Sequence, residues 1–432
     1  MKALPLLVVL ALSAAVIAPI SSGGASPDIG NGASWTPTSD AAASAAVDGA
    51  GESAADRTAS RDPLTVNHSN RTRILAVPEA AVQRTEINRT TLNLGSSARF
   101  AGNLSAVRME TIAVERYITA TDDEDEQSRR IIEAISTVEQ EVITLRGRQQ
   151  AAITAFNRGE LTPREFVIEL ATISARAEAL EDRVAMLVTL ADDIEGFSLS
   201  RANPVRYELR AFDGPVRERA IEAIRGTAPP TQFFVTTGPE GYELTTIDGG
   251  TYVREAFRGA VRSGDASATM ETSTAINVTR RSYPVITRGV DASVTASGTT
   301  NIVTVTQTNE SLTAFVDSGS ERVFKEYQQV PLAKFQSGPA ASNVLNGLRI
   351  TVNRTYPGGP MRVHVADADT GEPVNLSVTI SQGPAEGVEV GRTGDDGTLW
   401  TLSPRGSFTV TAVGEETAAT FLETNSTDAP DI

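Results

Sequence analysis

The chain has 432 residues, too many for one ordinary core, and its 54 acidic against 38 basic residues give a net charge of −16. This balance leaves no basic face for phosphates and argues against nucleic acid as a partner. The chain has no cysteine and only two histidines, which excludes disulfides and thiol chemistry and argues against histidine-based metal sites or triads.

Lysine is scarce in this sequence. Only Lys2, Lys325 and Lys334 are lysines, and arginine takes every other basic position. An acidic, lysine-poor chain stays soluble in concentrated salt, where charge repulsion is screened. An arginine-rich coding bias would produce the same shortage. We therefore predict a protein of a halophilic cell.

The amino terminus has the order of a secretory signal. Lys2 supplies a positive start, an apolar run extends from 3 to 17, and small residues follow as far as 25. Residues 1–25 are predicted to be a signal peptide, with an uncleaved membrane anchor as the alternative. Residues 26–75 are mostly small and polar and are predicted to be a disordered linker. An extracellular protein, secreted or associated with the cell surface, is expected.

Asparagine sequons are a second indication of export. The chain has 16 asparagines and 83 serines plus threonines, which predict about three Asn-X-Ser/Thr triplets by chance, whereas nine occur. The candidate glycosylation sites are Asn67, Asn70, Asn88, Asn103, Asn277, Asn309, Asn353, Asn375 and Asn425. Threonine-rich strands would also generate such triplets, so the excess alone leaves modification open.

Residues 76–196 have helical periodicity. Apolar residues recur at spacings of three and four along two stretches, which predicts a long antiparallel helical hairpin with a coiled-coil seam. The first stretch is Ile131, Ile135, Val138, Val142, Leu145, Gln149, Ala152 and Phe156, and the second is Phe166, Leu170, Ile173, Ala177, Leu180, Val184, Leu187, Ala191 and Ile194. Between them, Thr162, Pro163 and Glu165 form the start signal of a new helix. A weaker repeat from Phe100 to Ile118 predicts a third helix. The resulting rod would be a spacer or a partner-docking surface, or would reflect ordinary packing within the chain.

Residues 197–340 are predicted to be an α+β module. A strand is expected at 207–212, a short helix at 216–224, and a hairpin from 232–237 and 242–247. Further strands are expected at 275–278, 301–307 and 312–316. The module is central in a multidomain α+β protein.

Two stretches of this module resemble each other, which indicates a possible internal repeat. Each reads as a strand, an Asp/Gly turn at Asp248 or Asp317, and a second strand or helix start. These carboxylates would serve a hydrolase, which is the alternative function. Acids in such turns are more often there for the turn itself.

Residues 341–425 alternate between apolar and polar positions and are predicted to be an antiparallel β-sandwich, followed by a disordered tail at 426–432. The turns Thr370-Gly371-Glu372-Pro373-Val374 and Asp395-Asp396-Gly397, followed by Pro404-Arg405-Gly406 before a strand, resemble carboxypeptidase regulatory-like domains. That resemblance implies a transthyretin-like sandwich in an extracellular accessory role, and it transfers no catalytic residue.

The same turns raise the question of calcium. Asp367 and Asp369 resemble the start of a calcium loop, and Asp395 and Asp396 are further acids in nearby turns. Position twelve of that loop is Val378 rather than the completing glutamate. No metal, cofactor or catalytic residue is therefore assigned.

Taken whole, the layout resembles exported proteins of unknown activity from haloarchaea. We predict a secreted or surface-associated, non-catalytic interaction or structural protein with an unidentified protein or cell-envelope partner. The alternatives are the secreted hydrolase and a membrane-tethered sensor ectodomain that keeps its leader. No nucleophile elbow, phosphate loop or metal motif supports catalysis.

Overall fold

The computed structural model describes residues 72–265, 267–335, 338–383, 387–414 and 419–432. The predicted signal peptide and most of the predicted linker lie outside these ranges. The described residues belong to one compact unit, an α+β fold with six α-helices and three antiparallel sheets. Within these ranges, no helix has an apolar stretch able to cross a bilayer.

The helices are α1 (Leu94–Ile118), α2 (Glu124–Asn157), α3 (Pro163–Asp192), α4 (Ala202–Arg210), α5 (Pro215–Arg225) and α6 (Thr272–Ser282). The first eight strands are β1 (Arg84–Thr90), β2 (Thr231–Thr237), β3 (Gly241–Asp248), β4 (Thr251–Arg258), β5 (Ala292–Ser297), β6 (Thr300–Gln307), β7 (Glu310–Asp317) and β8 (Arg322–Pro331). The others are β9 (Ala340–Leu345), β10 (Leu348–Asn353), β11 (Pro360–Asp367), β12 (Ser377–Ser381), β13 (Val388–Arg392), β14 (Thr398–Leu402), β15 (Ser407–Val413) and β16 (Ala419–Asn425).

Strands β1 to β8 form one sheet in the order β1-β2-β3-β4-β8-β7-β6-β5. The sheet consists of two four-stranded halves, β1 to β4 and β5 to β8. In each half the strands follow the chain order from the edge of the sheet inward, and the last strands, β4 and β8, pair antiparallel at the centre. The two stretches that resemble each other lie in the hairpins β3-β4 and β7-β8. Helices α1 to α5 are inserted between the first and second strands of the first half.

Helices α2 and α3 bury the apolar positions that the periodicity predicted. Helix α3 begins as expected at Pro163, with Thr162 and Glu165 forming a reciprocal cap. The two helices share a core with one face of the eight-stranded sheet, and that core includes Phe166, Leu244 and Val235. The helices therefore form a layer on the sheet.

The C-terminal strands form two four-stranded sheets, β14-β11-β10-β9 and β13-β12-β15-β16. Their inward side chains make a separate core from Leu348 to Leu422, as the alternation predicted. The sandwich packs on the eight-stranded sheet, where the Thr245 hydroxyl donates a 2.8 Å hydrogen bond to the Gly358 carbonyl. The sandwich prediction is confirmed.

Two predicted strands are helices. Residues 207–212 begin within α4, whose buried Ala202, Val205 and Leu209 are spaced by three and four. Residues 275–278 lie in α6, whose buried Ala275 and Val278 are one turn apart. Both segments are short, so apolar residues compatible with alternation also fitted a helical face.

Strand β1 was missed, because residues 76–196 were assigned to helices. It pairs antiparallel with β2, more than 140 residues later in the chain. Both ends of the described chain are also ordered, against the predictions of a linker to 75 and a free tail from 426. Buried Ile74 pairs with Asp431, and the Ile74 amide donates a 2.9 Å hydrogen bond to the Pro430 carbonyl.

Candidate functional site

The sequon asparagines are mostly at the surface. Asn67 and Asn70 lie outside the described residues. Five of the other seven have exposed side chains, and these are Asn103, Asn277, Asn309, Asn375 and Asn425. Asn88 is half-buried on strand β1, at the outer edge of the large sheet. The sites do not converge on one element, since they lie on helices, strands and turns.

Asn353 is the exception, with only 8% of its surface exposed. Its amide nitrogen donates a 3.3 Å hydrogen bond to the Gly338 carbonyl, and its amide oxygen accepts one of 3.2 Å from Arg362 Nε. A sugar is bonded to that same amide nitrogen, so the folded chain leaves no room for it. The structure removes Asn353 from the candidates in the folded protein.

The exposed sequons differ in local geometry. Asn309 occupies the β6–β7 turn with a φ of 62°, where its side chain projects from the sheet. Asn375 and Asn425 direct their amide oxygens to arginines, with Arg392 and Arg354 donating at 3.2 and 3.0 Å. Asn277 lies on α6, and the Thr279 of its sequon is buried, with its hydroxyl donating to the Ala275 carbonyl.

Asp248 and Asp317, the carboxylates considered for a hydrolase, lie at opposite ends of the sheet. Asp248 pairs with Thr251, which neighbours the last residue of β8, whereas Asp317 pairs with Arg322, the first residue of β8. Strand β8 has ten residues and extends roughly 30 Å. The two carboxylates therefore cannot act on one substrate bond.

Each of these aspartates has a local structural partner. Asp248 forms a 3.0 Å ion pair with Arg219. Asp317 accepts hydrogen bonds from the Ser320 and Ser263 amides at 2.9 and 3.1 Å. Burial raises the pKa of Asp317, but these hydrogen bonds outweigh it, and the net pKa lies below its ordinary value. Asp317 is thus an ionised turn residue.

The acids of the suspected calcium loop are also turn residues. Asp367 Oδ1 accepts hydrogen bonds from the Thr370 amide at 2.8 Å, the Thr370 hydroxyl at 3.0 Å and the Asp369 amide at 3.0 Å. These bonds, those from Thr370 first, lower the pKa of Asp367. Asp396 caps its own turn through the Thr398 amide. In the described ranges no three acidic or histidine side chains are grouped to hold a metal ion.

A buried ionic network that the sequence did not predict lies on the sheet face opposite α1 to α5, the face on which α6 packs. Arg254 forms ion pairs with Glu326 and, at 3.2 Å, with Glu243, and all three are at most 3% exposed. The Tyr283 hydroxyl donates a 2.5 Å hydrogen bond to Glu326. Burial alone would lower the pKa of Arg254, but Glu243 and nearby groups raise it above its ordinary value. The arginine therefore stays charged between two carboxylates.

A second buried network lies on the side that faces α1 to α5. Arg217 Nε forms a 2.8 Å ion pair with Glu255, and its Nη2 donates a 3.4 Å hydrogen bond to Gln149, the polar residue of the predicted seam. Lys325 donates to the carbonyls of Ala211 and Asp213, just after the end of α4. Burial lowers the pKa of Lys325 well below its ordinary value. The network joins three helices to the sheet.

These networks contain the kinds of charged groups that active sites use, but their side chains are not accessible to a substrate from solvent. Glu255, Lys325 and Arg254 are fully buried, so substrate cannot reach them. Their chemistry is structural, because each ion is held by its partners within the core. The sequence signal was the charged pairs Arg254-Glu255 and Lys325-Glu326 inside apolar strands. Residues at successive strand positions face opposite sides, which is why two networks result.

The fold and these sites define an α+β protein with helices on its large antiparallel sheet and a C-terminal β-sandwich. Residues 3–229 match the family model described as a domain of unknown function (DUF7096), and the chain belongs to that family. Residues 233–336 match a second family of unknown function (DUF7094), and residues 339–421 match an archaeal fibronectin-III type-like domain. No match was found among curated proteins or solved structures. The matches confirm an archaeal family with a β-sandwich at its C-terminus.

Proposed function

We propose that this chain is an exported, non-catalytic interaction or structural protein at the surface of a halophilic archaeal cell. The observation that carries the proposal is that five sequon asparagines are exposed on separate elements of the described fold. Such positions would be accessible to glycosylation after export. The acidic, cysteine-free and lysine-poor composition supports a location in concentrated salt.

Several finer features belong to this proposal. The α2–α3 pair would be an antiparallel coiled-coil hairpin, with the predicted seam residues between the two helices. The C-terminal sandwich would have the accessory, transthyretin-like role that its turn motifs suggest, within the fibronectin-III type match. The partner would be a protein or a cell-envelope component, and the net charge of −16 argues against nucleic acid.

The proposal is tested by the intact mass of the protein from its own cells, with medium and membrane fractions measured separately. A species that begins near residue 16, 19 or 26 and is heavier by glycan-sized steps is the expected result. A full-length species in the membrane fraction would favour the tethered ectodomain. A full-length, unmodified species in the cytoplasm would contradict export.

Peptide mapping of the same material supplies an internal control. We expect glycan on Asn309 or Asn375, whose side chains are exposed, and none on Asn353, which is buried. Modification before folding would place glycan on Asn353 as well, and the folded structure could not then form as described. The native site occupancy therefore reports on both export and fold.

A further inference from the structure

Helix α1 has apolar residues on two faces. The inner face buries Phe100, Val107 and Ile118 against the rest of the helical layer. On another face, Met109 and Ile112 are 72% and 48% exposed. They are three residues apart and so are neighbours on the helix surface. Nothing in the described part of the chain covers this second face.

An exposed apolar pair is notable on a chain with a net charge of −16. Burying these side chains against a partner would remove their apolar surface from water, which is favourable. Scattered apolar residues are common on protein surfaces, whereas adjacent ones edged by polar residues mark contact sites.

Three charged residues edge this face, with Arg108 and Glu115 along one side of it and Arg116 along the other. Arg108 and Glu115 are exposed, lie two turns apart on the same side of α1, and have Ile112 between them. Within the described residues neither forms a salt bridge. By contrast, Glu110 on the same helix is held by Arg183 and Arg176 of α3 at 3.0 and 3.2 Å. The unpaired charges therefore lie on the outer face, and the paired one holds α1 in place.

We infer that this face binds a second copy of the chain, with the two α1 helices antiparallel about a two-fold axis between residues 111 and 112. Reversing one helix places Arg108 of each copy opposite the partner's Glu115, so two ion pairs flank Ile112 and Met109 of both copies. A parallel arrangement would set Arg108 against Arg108 and is disfavoured. The inference rests on the proposed interaction role and names the partner.

The size of the contact sets its strength. A single helix against a helix buries less than the roughly 800 Å² per partner of a standard interface. The dimer is therefore reversible and dissociates on dilution. Its apolar centre persists in concentrated salt, where the flanking ion pairs are screened.

The first test is light scattering of the full-length chain over a dilution series. We expect twice the mass of one chain at high concentration, and the monomer mass at all concentrations for Ile112→Asp. Ile143→Asp, on an α2 residue that is 57% exposed, is the matched control and keeps the dimer. Unchanged circular dichroism of both variants shows that they fold. A wild-type monomer throughout, or a dimer unaffected by Ile112→Asp, overturns the inference.

Charge exchange tests the orientation. Arg108→Glu is expected to weaken the dimer at least several-fold at low salt, and adding Glu115→Arg to restore it. Because the chain has no cysteine, Ile112→Cys is the second probe, and oxidation is expected to give a covalent dimer where Ile143→Cys gives none. Shielding of Cys at position 112 in a monomer would indicate cover by the chain's own residues 1–71 and overturn the inference. A monomer that is still exported and glycosylated leaves the proposed function standing.

Discussion

At the scale of single residues, the main feature is charge buried without access to solvent. An ion pair in a core repays its desolvation only when geometry and additional hydrogen bonds are good. Arg254 is paired with Glu243 and Glu326 and donates to the Leu75 carbonyl, whereas its Nε and Glu243 Oε1 have no hydrogen-bond partner among the described residues. Removing one partner leaves the others charged in the core, which costs more than the pair contributes.

Arg254→Met is expected to lower the free energy of unfolding by about 3–5 kcal/mol, because Glu243 and Glu326 lose their shared cation. The control is Arg129→Met, whose side chain is 73% exposed and forms its ion pair with Glu126 at the surface. That change is expected to stay within about 1 kcal/mol. Urea unfolding measures both, and equal losses would contradict a structural role for the network.

Gly214→Ala is expected to destabilise the fold by about 1–3 kcal/mol or more, because the added methyl would overlap the buried Glu255 carboxylate. Gly147→Ala is the matched control in the exposed interior of α2, where nothing lies within 4 Å of the new methyl. It is expected to stabilise by about 0.5–1 kcal/mol. Melting temperatures that move in the same direction would refute the close approach of Gly214 to Glu255.

Glu208 provides a pH-dependent contribution. Burial raises its pKa, but Arg262 and Arg146 outweigh burial, so the net pKa lies below the ordinary 4.5. A lowered folded-state pKa gives stability that is present above 4.5 and lost as pH falls through the folded value. We expect Glu208→Gln to cost about 1–3 kcal/mol near neutral pH and progressively less in acid. Urea titrations at several pH values measure this, and a pH-independent difference would contradict it.

At the scale of elements, local signals placed the long helices well. The cap of α3 was readable because Thr162, Pro163 and Glu165 act on backbone groups of the same turn. Strand β1 was not readable, since the strand that pairs with it, β2, lies more than 140 residues later in the chain. The strand predictions for 207–212 and 275–278 were wrong for a related reason, because the packing partners of these segments decided between strand and helix.

Thr162→Ala is expected to lower stability by about 1 kcal/mol, because the α3 amino terminus loses the hydroxyl that accepts from the Glu165 amide. Thr137→Ala, in the exposed middle of α2, is the control. Its hydroxyl only bonds the preceding turn at Glu133, so alanine is expected to gain a few tenths of a kcal/mol. Chemical unfolding of the pair checks the sign, and a neutral Thr162→Ala would show that the cap is dispensable.

At the scale of the whole molecule, the helical layer and the large sheet depend on each other. The family match to 3–229 ends before β2, yet its β1 completes the sheet of the region matched at 233–336. Aromatic rings connect the two layers, from Phe156 and Phe166 at 4.8 Å to Tyr242 on β3 at 6.5 Å from Phe166. The sandwich, by contrast, has a core of its own residues.

Separate expression of fragments tests this dependence. Residues 341–425 are expected to fold alone, because their core contains only their own side chains. Residues 197–340 are expected to aggregate or stay unfolded, because β1 and α1 to α3 are lost and Phe233 and Leu244 are uncovered. Dispersed amide NMR spectra identify folding. A cooperatively folded 197–340 fragment would mean that the sheet needs no helical layer.

The sequence by itself determined the long helices, the hairpin of β2 and β3 and the alternating strands of the sandwich, because periodicity and caps act over a few residues. Only the tertiary structure decided which strand pairs with β1 and that Ile74 pairs with Asp431 near the end of the chain. It also decided that Asn353 is buried and that Asp248 and Asp317 lie far apart. The buried charges also belong to this second group. Each depends on contacts between residues far apart in the chain, and a local pattern, such as the charged pairs at 254–255 and 325–326, does not identify the partners.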